Sequence, residues 1–291
     1  MNMRSSFFLA IALLFINHAL YARISVIDDA GDTVTLKSSA KRIVSLSPGV
    51  TELIFAAGGG GYLKGVVNYS DYPEAAKKIP QIGSYNSIDI EQIIALSPDL
   101  VVAWKSGNPP LQISQLKKLG VNVYQSEPRE FEDIPSTISR LGLLMDTAPI
   151  ADKSSASFRK RLTALQQRYP KTANKKTVFI QIWNQPLMTI SGKHLISKVV
   201  SQCNGKNIFQ DESQLTLSLN VETIINMNPD IILVTRQGKL GEAWLSQWRR
   251  WGFLTSVSQH QLYRVNPDIV VRHTPRILDG IAQVCSFLYS K

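Results

Sequence analysis

The side chains best suited to act on a ligand are aromatic. In "NYSDYPEAAKK", which begins at Asn68, Tyr69 and Tyr72 flank Ser70 and Asp71. Tyr85 follows in "QIGSYNS", and Trp104 and Trp183 sit in "AWKSGN" and "IWNQPLM". Such rings offer large, rigid, amphipathic area at low entropic cost, which suits holding a broad ligand better than breaking a bond. Asp268 and Arg272, in "NPDIVVRHTPR", add polar contacts of both signs. Groups able to catalyse are sparse. Beyond residue 22 the histidines are His194, His260 and His273, and none falls in H-E-x-x-H or a comparable metal-ligand spacing. No G-x-S-x-G occurs, and "TISGK" (Thr189 to Lys193) lacks its first glycine. The residues predict no catalytic set, no metal site and no cofactor, with a hydrolase as the distant alternative.

The elements that must position these residues are legible in an internal repeat. "IDIEQIIALSPDLVV" (Ile88 to Val102) and "LNVETIINMNPDIIL" (Leu219 to Leu233) align without a gap, 131 residues apart. Glu91 and Glu222 match, as do Ile93 and Ile224, Ile94 and Ile225, Pro98 and Pro229, Asp99 and Asp230. Each unit reads as a short helix, stopped by Pro, then an apolar run of the kind found in buried parallel strands. Strands are expected in "RIVSLSP", "LKGVVNY", "TVFIQIW" and "HQLYRVN". Helices are expected in "TELIFAAG", "LQISQLKKLG", "HLISKVVSQCNG" and "LSQWRRWG". The alternation predicts an α/β fold of two lobes, each a parallel sheet flanked by helices. Between them "APIADKSSASFRKRLTALQQRYP" reads as one long connecting helix of about 30 Å at 1.5 Å per residue, so a ligand cleft is expected between the lobes. The expected boundaries are 23–145 for the first lobe, 146–171 for the connecting helix and 172–291 for the second lobe. "GGGG" (Gly58 to Gly61) follows a helix, so it reads as a helix C-cap rather than a phosphate loop. In α/β sheets the loops beyond the strands' carboxyl ends face the ligand crevice, and there the aromatic residues fall.

Residues 1–22 carry Arg4, a ten-residue apolar run from Phe7 to Ile16 and small residues up to Ala22. That run is too short for a membrane span and fits a cleaved secretory signal peptide; no Cys near the cleavage point offers a lipid anchor. The net charge of +10 is dispersed over many short basic clusters, without the concentrated face that nucleic-acid binding needs. Cys203 and Cys285 form an even pair in an exported chain, so one disulfide is expected, with two buried thiols as the alternative. Glu91 and Glu222, at equivalent places on equivalent helices, suit docking onto a two-fold symmetric partner with basic sockets.

With "RIVSLSPGVTEL", "YSDYPEAAKKI", "IEQIIALSPDLVVAWKSGN", "QLKKLGV" and "CNGKNIF" on hand, the chain resembles the periplasmic substrate-binding proteins of the long-helix class, which serve ABC importers of cobalamin, haem, siderophores and metal ions. It is most similar to their cobalamin-binding branch. The resemblance runs from about Arg42 to Cys285. It implies a monomeric periplasmic protein that binds cobalamin or a related corrinoid and hands it to a permease dimer with its ATPase subunits. It places Gly49, Tyr69, Tyr85 and Trp104 on the first-lobe contact surface and Asp268 and Arg272 on the second. It assigns Glu91 and Glu222 to permease docking and pairs Cys203 with Cys285. Tyr85 stands where that branch carries Trp, Ile269 and Val270 replace aromatics, and "ISVIDDAGDTVTL" reads as a hairpin more usual in siderophore and haem binders. Haem and ferric siderophores are therefore the alternative ligands.

Overall fold

The computed structural model describes residues 23–290; the expected signal peptide lies outside the described residues. Two four-stranded parallel sheets organise the chain. In the first, Leu63–Val66, Ile43–Ser45, Leu100–Trp104 and Val123–Ser126 lie side by side in that order. In the second the order is Gly205–Asn207, Lys176–Gln181, Ile231–Val234 and Leu262–Arg264. Successive strand residues point to opposite faces, and the apolar runs use both. Ile43, Leu100 and Val102 face a core that continues through Met145, Phe158 and Tyr169 to Val178, Ile180, Ile231 and Leu233 of the other sheet. The alternate residues, Val44, Val101 and Ala103, pack outward with Ile93 and Leu116. Phe179, Ile232 and Val234 do the same with Ile224, Trp244 and Trp248. One core is thus shared along the inner faces, and each outer face has its own.

The repeated segments fold alike. Helix Ile90–Ala95 leads into strand Leu100–Trp104, and helix Val221–Met227 into strand Ile231–Val234. Ile93 and Ile224 are fully buried. The shared Asp has a structural task in both copies. Asp99 Oδ2 accepts the backbone N–H groups of Lys41 and Arg42 at 2.8 and 2.9 Å. Asp230 Oδ2 accepts the N–H and the hydroxyl of Thr177, each at 2.7 Å. Each carboxylate pins the start of the neighbouring strand, where backbone donors otherwise lack a partner.

Helix Ala148–Arg168, with Pro149 in its first turn, follows the first lobe and buries Ala151, Ser155 and Phe158 along one side. That side packs against helix Asp133–Met145, which has no counterpart among the elements expected from the sequence. The approach is close: a Cβ on Gly142 would stand 2.4 Å from that of Ala151. Gly58, at φ +87, ends helix Pro48–Ala56 as a glycine past a helix C-terminus should. The N-terminal hairpin pairs Ile24–Ile27 with Thr33–Leu36. Its Asp28 and Asp29 carboxylates accept the backbone N–H groups of Gln125 and Glu127 at 3.0 and 2.6 Å, which ties it to the end of the first sheet. Cys203 and Cys285 form the expected disulfide, joining the C-terminus of helix Leu195–Gln202 to helix Ile277–Leu288. Among the described residues no helix is long and apolar enough to cross a membrane.

Candidate functional site

A cavity of about 200 Å³ opens between the lobes at the carboxyl ends of the strands. The first lobe supplies most of its wall. Ser47 accepts the N–H of Val50 at 3.2 Å as N-cap of helix Pro48–Ala56, which sets Gly49 against Arg272 and Thr274 of the second lobe. An added Cβ at Gly49 would meet them at 3.6–3.8 Å, ordinary van der Waals contact. Trp104, the last residue of its strand, meets Tyr85 with ring centroids 5.9 Å apart in a tilted pair. Both rings line the cavity. Their positions are fixed by Asn108, which the sequence reading did not single out. Its side-chain amide donates to the carbonyls of Leu46 and Tyr85 at 2.8 and 2.7 Å, and its carbonyl accepts Trp104 N–H at 2.6 Å. A buried amide with these three bonds made is well satisfied, and it ties three wall segments together.

The structure brings Gly49, Tyr85, Trp104 and Arg272 together at the cavity and sets Tyr69, Trp183 and Asp268 outside its wall. Tyr69 is 72% exposed and holds φ +65, a left-handed conformation costly for an aromatic residue. Trp183 stands beyond the end of the Lys176–Gln181 strand, edge-on to Trp244, with its indole N–H donating to the Gln185 carbonyl at 3.1 Å. Asp268 pairs with Arg272 at 3.0 Å.

Polar contacts across the lobes are more extensive than the sequence indicated. Glu52, 4% exposed on helix Pro48–Ala56, accepts Arg276 Nε at 2.9 Å, Arg276 Nη2, the Thr274 hydroxyl at 2.7 Å and Arg272 Nη1 at 3.1 Å. Asp71 reaches Arg272 Nη1 at 2.7 Å. Burial pushes the Asp71 carboxyl up, but the hydrogen bond and charge of Arg272 outweigh it and hold it below its ordinary value. The Arg276 guanidinium lies over the Tyr72 ring, 4.1 Å from its centroid. Glu52 is the one acid in the apolar run "TELIFAA", but nothing near it in sequence announces partners 220–224 residues away.

Glu91 and Glu222 lie in the first turns of their helices, exposed, and neither forms an ion pair with a described residue. A short Pro-containing link returns each helix into its strand, so each first turn lies toward the carboxyl ends of the parallel strands. Carboxylates there also meet the positive end of the helix dipole.

Below the cavity His194 and His273 meet edge to face, centroids 5.1 Å apart. Desolvation, then the charges of His273 and Arg129, lower His194 to about 3. Desolvation lowers His273 to about 4; the Pro128 carbonyl opposes that shift and Arg129 adds to it. Both rings are neutral in the fold at pH 7. Unfolded, each takes a proton near pH 6.5. Their contribution to stability is therefore complete above about pH 6.5 and is lost as pH falls from there toward the folded values, by up to about 1.4 kcal/mol per pH unit for each ring. Urea unfolding at pH 7.0, 5.5 and 4.5 should show this decline, and H273Q should flatten it relative to wild type. An equal decline in both would show that the histidine contributes nothing to it.

Residues 43–269 match the profile of the periplasmic binding protein family. The vitamin B12-binding protein of Vibrio parahaemolyticus is 34% identical over 250 residues, 86% of this chain and 90% of that protein. That of Yersinia pestis is 36% identical over 256 residues, 87% of this chain and 88% of the other. The crystal structure of the periplasmic vitamin B12 binding protein of Vibrio cholerae superposes with a TM-score of 0.80 at 34% identity, covering 86% of this chain and 96% of that one. A periplasmic heme-binding protein from Roseiflexus superposes with a TM-score of 0.76 at 21% identity, a likeness of fold alone.

Proposed function

The chain belongs to the periplasmic binding protein family, and from that premise we propose that it captures a cobalamin-like corrinoid in the cleft between its lobes and delivers it to an ABC importer. It works in the periplasm as a monomer and performs no chemistry on its cargo. The observation that carries this reading is the identity with vitamin B12-binding relatives over nearly the whole of both chains, joined to a cleft walled by an aromatic pair. Tyr85 and Trp104 cover one face of the corrin ring, and Tyr69 and Trp183 approach it from the rims of the two lobes. A cavity of about 200 Å³ is too small for the macrocycle, so the ring rests across the mouth of the cavity and only a side arm enters it, while helix Ala148–Arg168 keeps the lobes tethered. Glu91 and Glu222 then face basic sockets on the two halves of a permease dimer that carries its own ATPase subunits.

The aromatic wall tests this reading. Trp104→Ala removes the larger ring of the pair and should weaken cyanocobalamin binding about tenfold or more, as loss of a central aromatic contact does. Isothermal titration gives the change directly. Unaltered affinity in a folded W104A protein would remove Trp104 from the binding surface.

A further inference from the structure

Two polar atoms at the floor of the cleft have no partner. Ser126 closes the strand Val123–Ser126 of the first lobe, and its hydroxyl is buried and unbonded; His273 Nε2, from the second lobe, is likewise buried and unbonded. Both residues line the interlobe cavity. A buried polar group without a partner costs free energy that native folds rarely tolerate without a use. The two atoms differ in what they can do. A neutral imidazole carries one proton, and we place it on the ring nitrogen opposite Nε2. Nε2 is then a bare acceptor, and the Ser126 hydroxyl is a free donor.

The surrounding charge favours a neutral guest. Among the described residues Arg272 is the one cation in the cavity wall, and it is already engaged by Glu52, Asp71 and Asp268. With Arg276 bound to Glu52, this group holds one more carboxylate than guanidinium. It offers no unmet positive charge to an anionic ligand arm. The cavity volume suits a side arm of a large cargo.

We propose that Ser126 and His273 form a carboxamide subsite, in which the Ser126 hydroxyl donates to the amide carbonyl and His273 Nε2 accepts an amide N–H. The inference rests on the corrinoid reading, since the corrin rim carries primary amides and a haem rim carries carboxylates. It makes these two residues a selectivity filter: a carboxylate in the same place has no proton to give Nε2 and meets an environment already rich in negative charge.

The test uses cyanocobalamin and its monocarboxylic acids, in each of which one peripheral amide has been hydrolysed, titrated at pH 7 into the full-length mature protein. At least one monoacid should bind about tenfold more weakly than cyanocobalamin. S126A and H273L should each weaken cyanocobalamin about fivefold and narrow the gap to that monoacid. H273Q, which keeps an acceptor in its side-chain carbonyl, should restore much of the gap and distinguishes lost recognition from lost folding. The proposal is overturned if every monoacid binds like the parent compound, or if S126A and H273L leave all affinities unchanged, which would mean that the two atoms hold only ordered water. Failure of cyanocobalamin itself to bind the wild type would overturn the corrinoid reading and this subsite with it. Normal parent binding with no amide preference overturns the subsite alone.

Discussion

Glu52→Gln should cost the protein about 3–5 kcal/mol, the usual penalty for removing one member of a buried ion pair. Glu52 lies in the first lobe, whereas Arg272, Thr274 and Arg276 belong to the second. Glutamine keeps the size of the side chain but replaces one acceptor oxygen with a donor. That donor would face the Arg276 guanidinium, and Arg276 would lose its carboxylate partner while Arg272 kept Asp71 and Asp268. The Arg272, Arg276 and Glu52 side chains are only 12, 17 and 2% exposed, so solvent screens little of the loss. Thr274→Val, which deletes one hydrogen bond to the same carboxylate, should cost only about 1 kcal/mol. Urea unfolding measures both. A loss below 1 kcal/mol for E52Q would show that the lobes are held by the shared core and not by this network. The same substitution should loosen the cleft, because Arg272 would retain only Asp71 as a partner across the lobes.

The second large effect concerns delivery. Reversing the two carboxylates proposed for docking, E91K with E222K, should reduce cyanocobalamin transport about a hundredfold or more while leaving its affinity for the binding protein unchanged. Neither side chain has an ion-pair partner among the described residues, and each lies on an exposed first turn. The internal cost is then limited to the helix dipole, about 0.5 kcal/mol per site. Against basic sockets, each reversal turns an attraction into a repulsion, and like charges juxtaposed at an interface cost several kcal/mol. Uptake into proteoliposomes holding the cognate permease, measured beside binding titrations, separates the two effects. Transport that survives the double reversal would detach these carboxylates from docking.

The sequence was most informative where hydrophobic pattern and repetition coincide. The two Glu-to-Pro-Asp units could be read as helix then strand because Ile93 and Ile224 must be buried at helical spacing and the runs after Pro must fill a parallel sheet. The end of helix Pro48–Ala56 was legible because a glycine there relieves the left-handed turn. Helix Asp133–Met145 was not: Pro135 and the Ser and Thr residues of its first turns blur its pattern, and its buried face depends on the connecting helix opposite. The same limit hid the site's polar frame. Asn108 satisfies carbonyls 23 and 62 residues away, and Glu52 finds its partners across the whole chain. Of the four aromatic residues read at strand ends, Tyr85 and Trp104 line the cavity and Tyr69 and Trp183 do not, and the contacts that hold the cleft closed are set by tertiary proximity alone. Tyr69 illustrates the division: its place after a strand was legible, but its left-handed backbone and outward ring were not.

The central claim, corrinoid capture, is tested most directly by titrating the mature protein with cyanocobalamin while following tryptophan fluorescence, with haemin and a ferric hydroxamate as parallel ligands. The proposed function predicts saturable quenching at one site, with a dissociation constant of micromolar or tighter for cyanocobalamin and far weaker responses to the other two. Saturable binding of haemin or the ferric hydroxamate, with none by cyanocobalamin at micromolar concentrations, would contradict it.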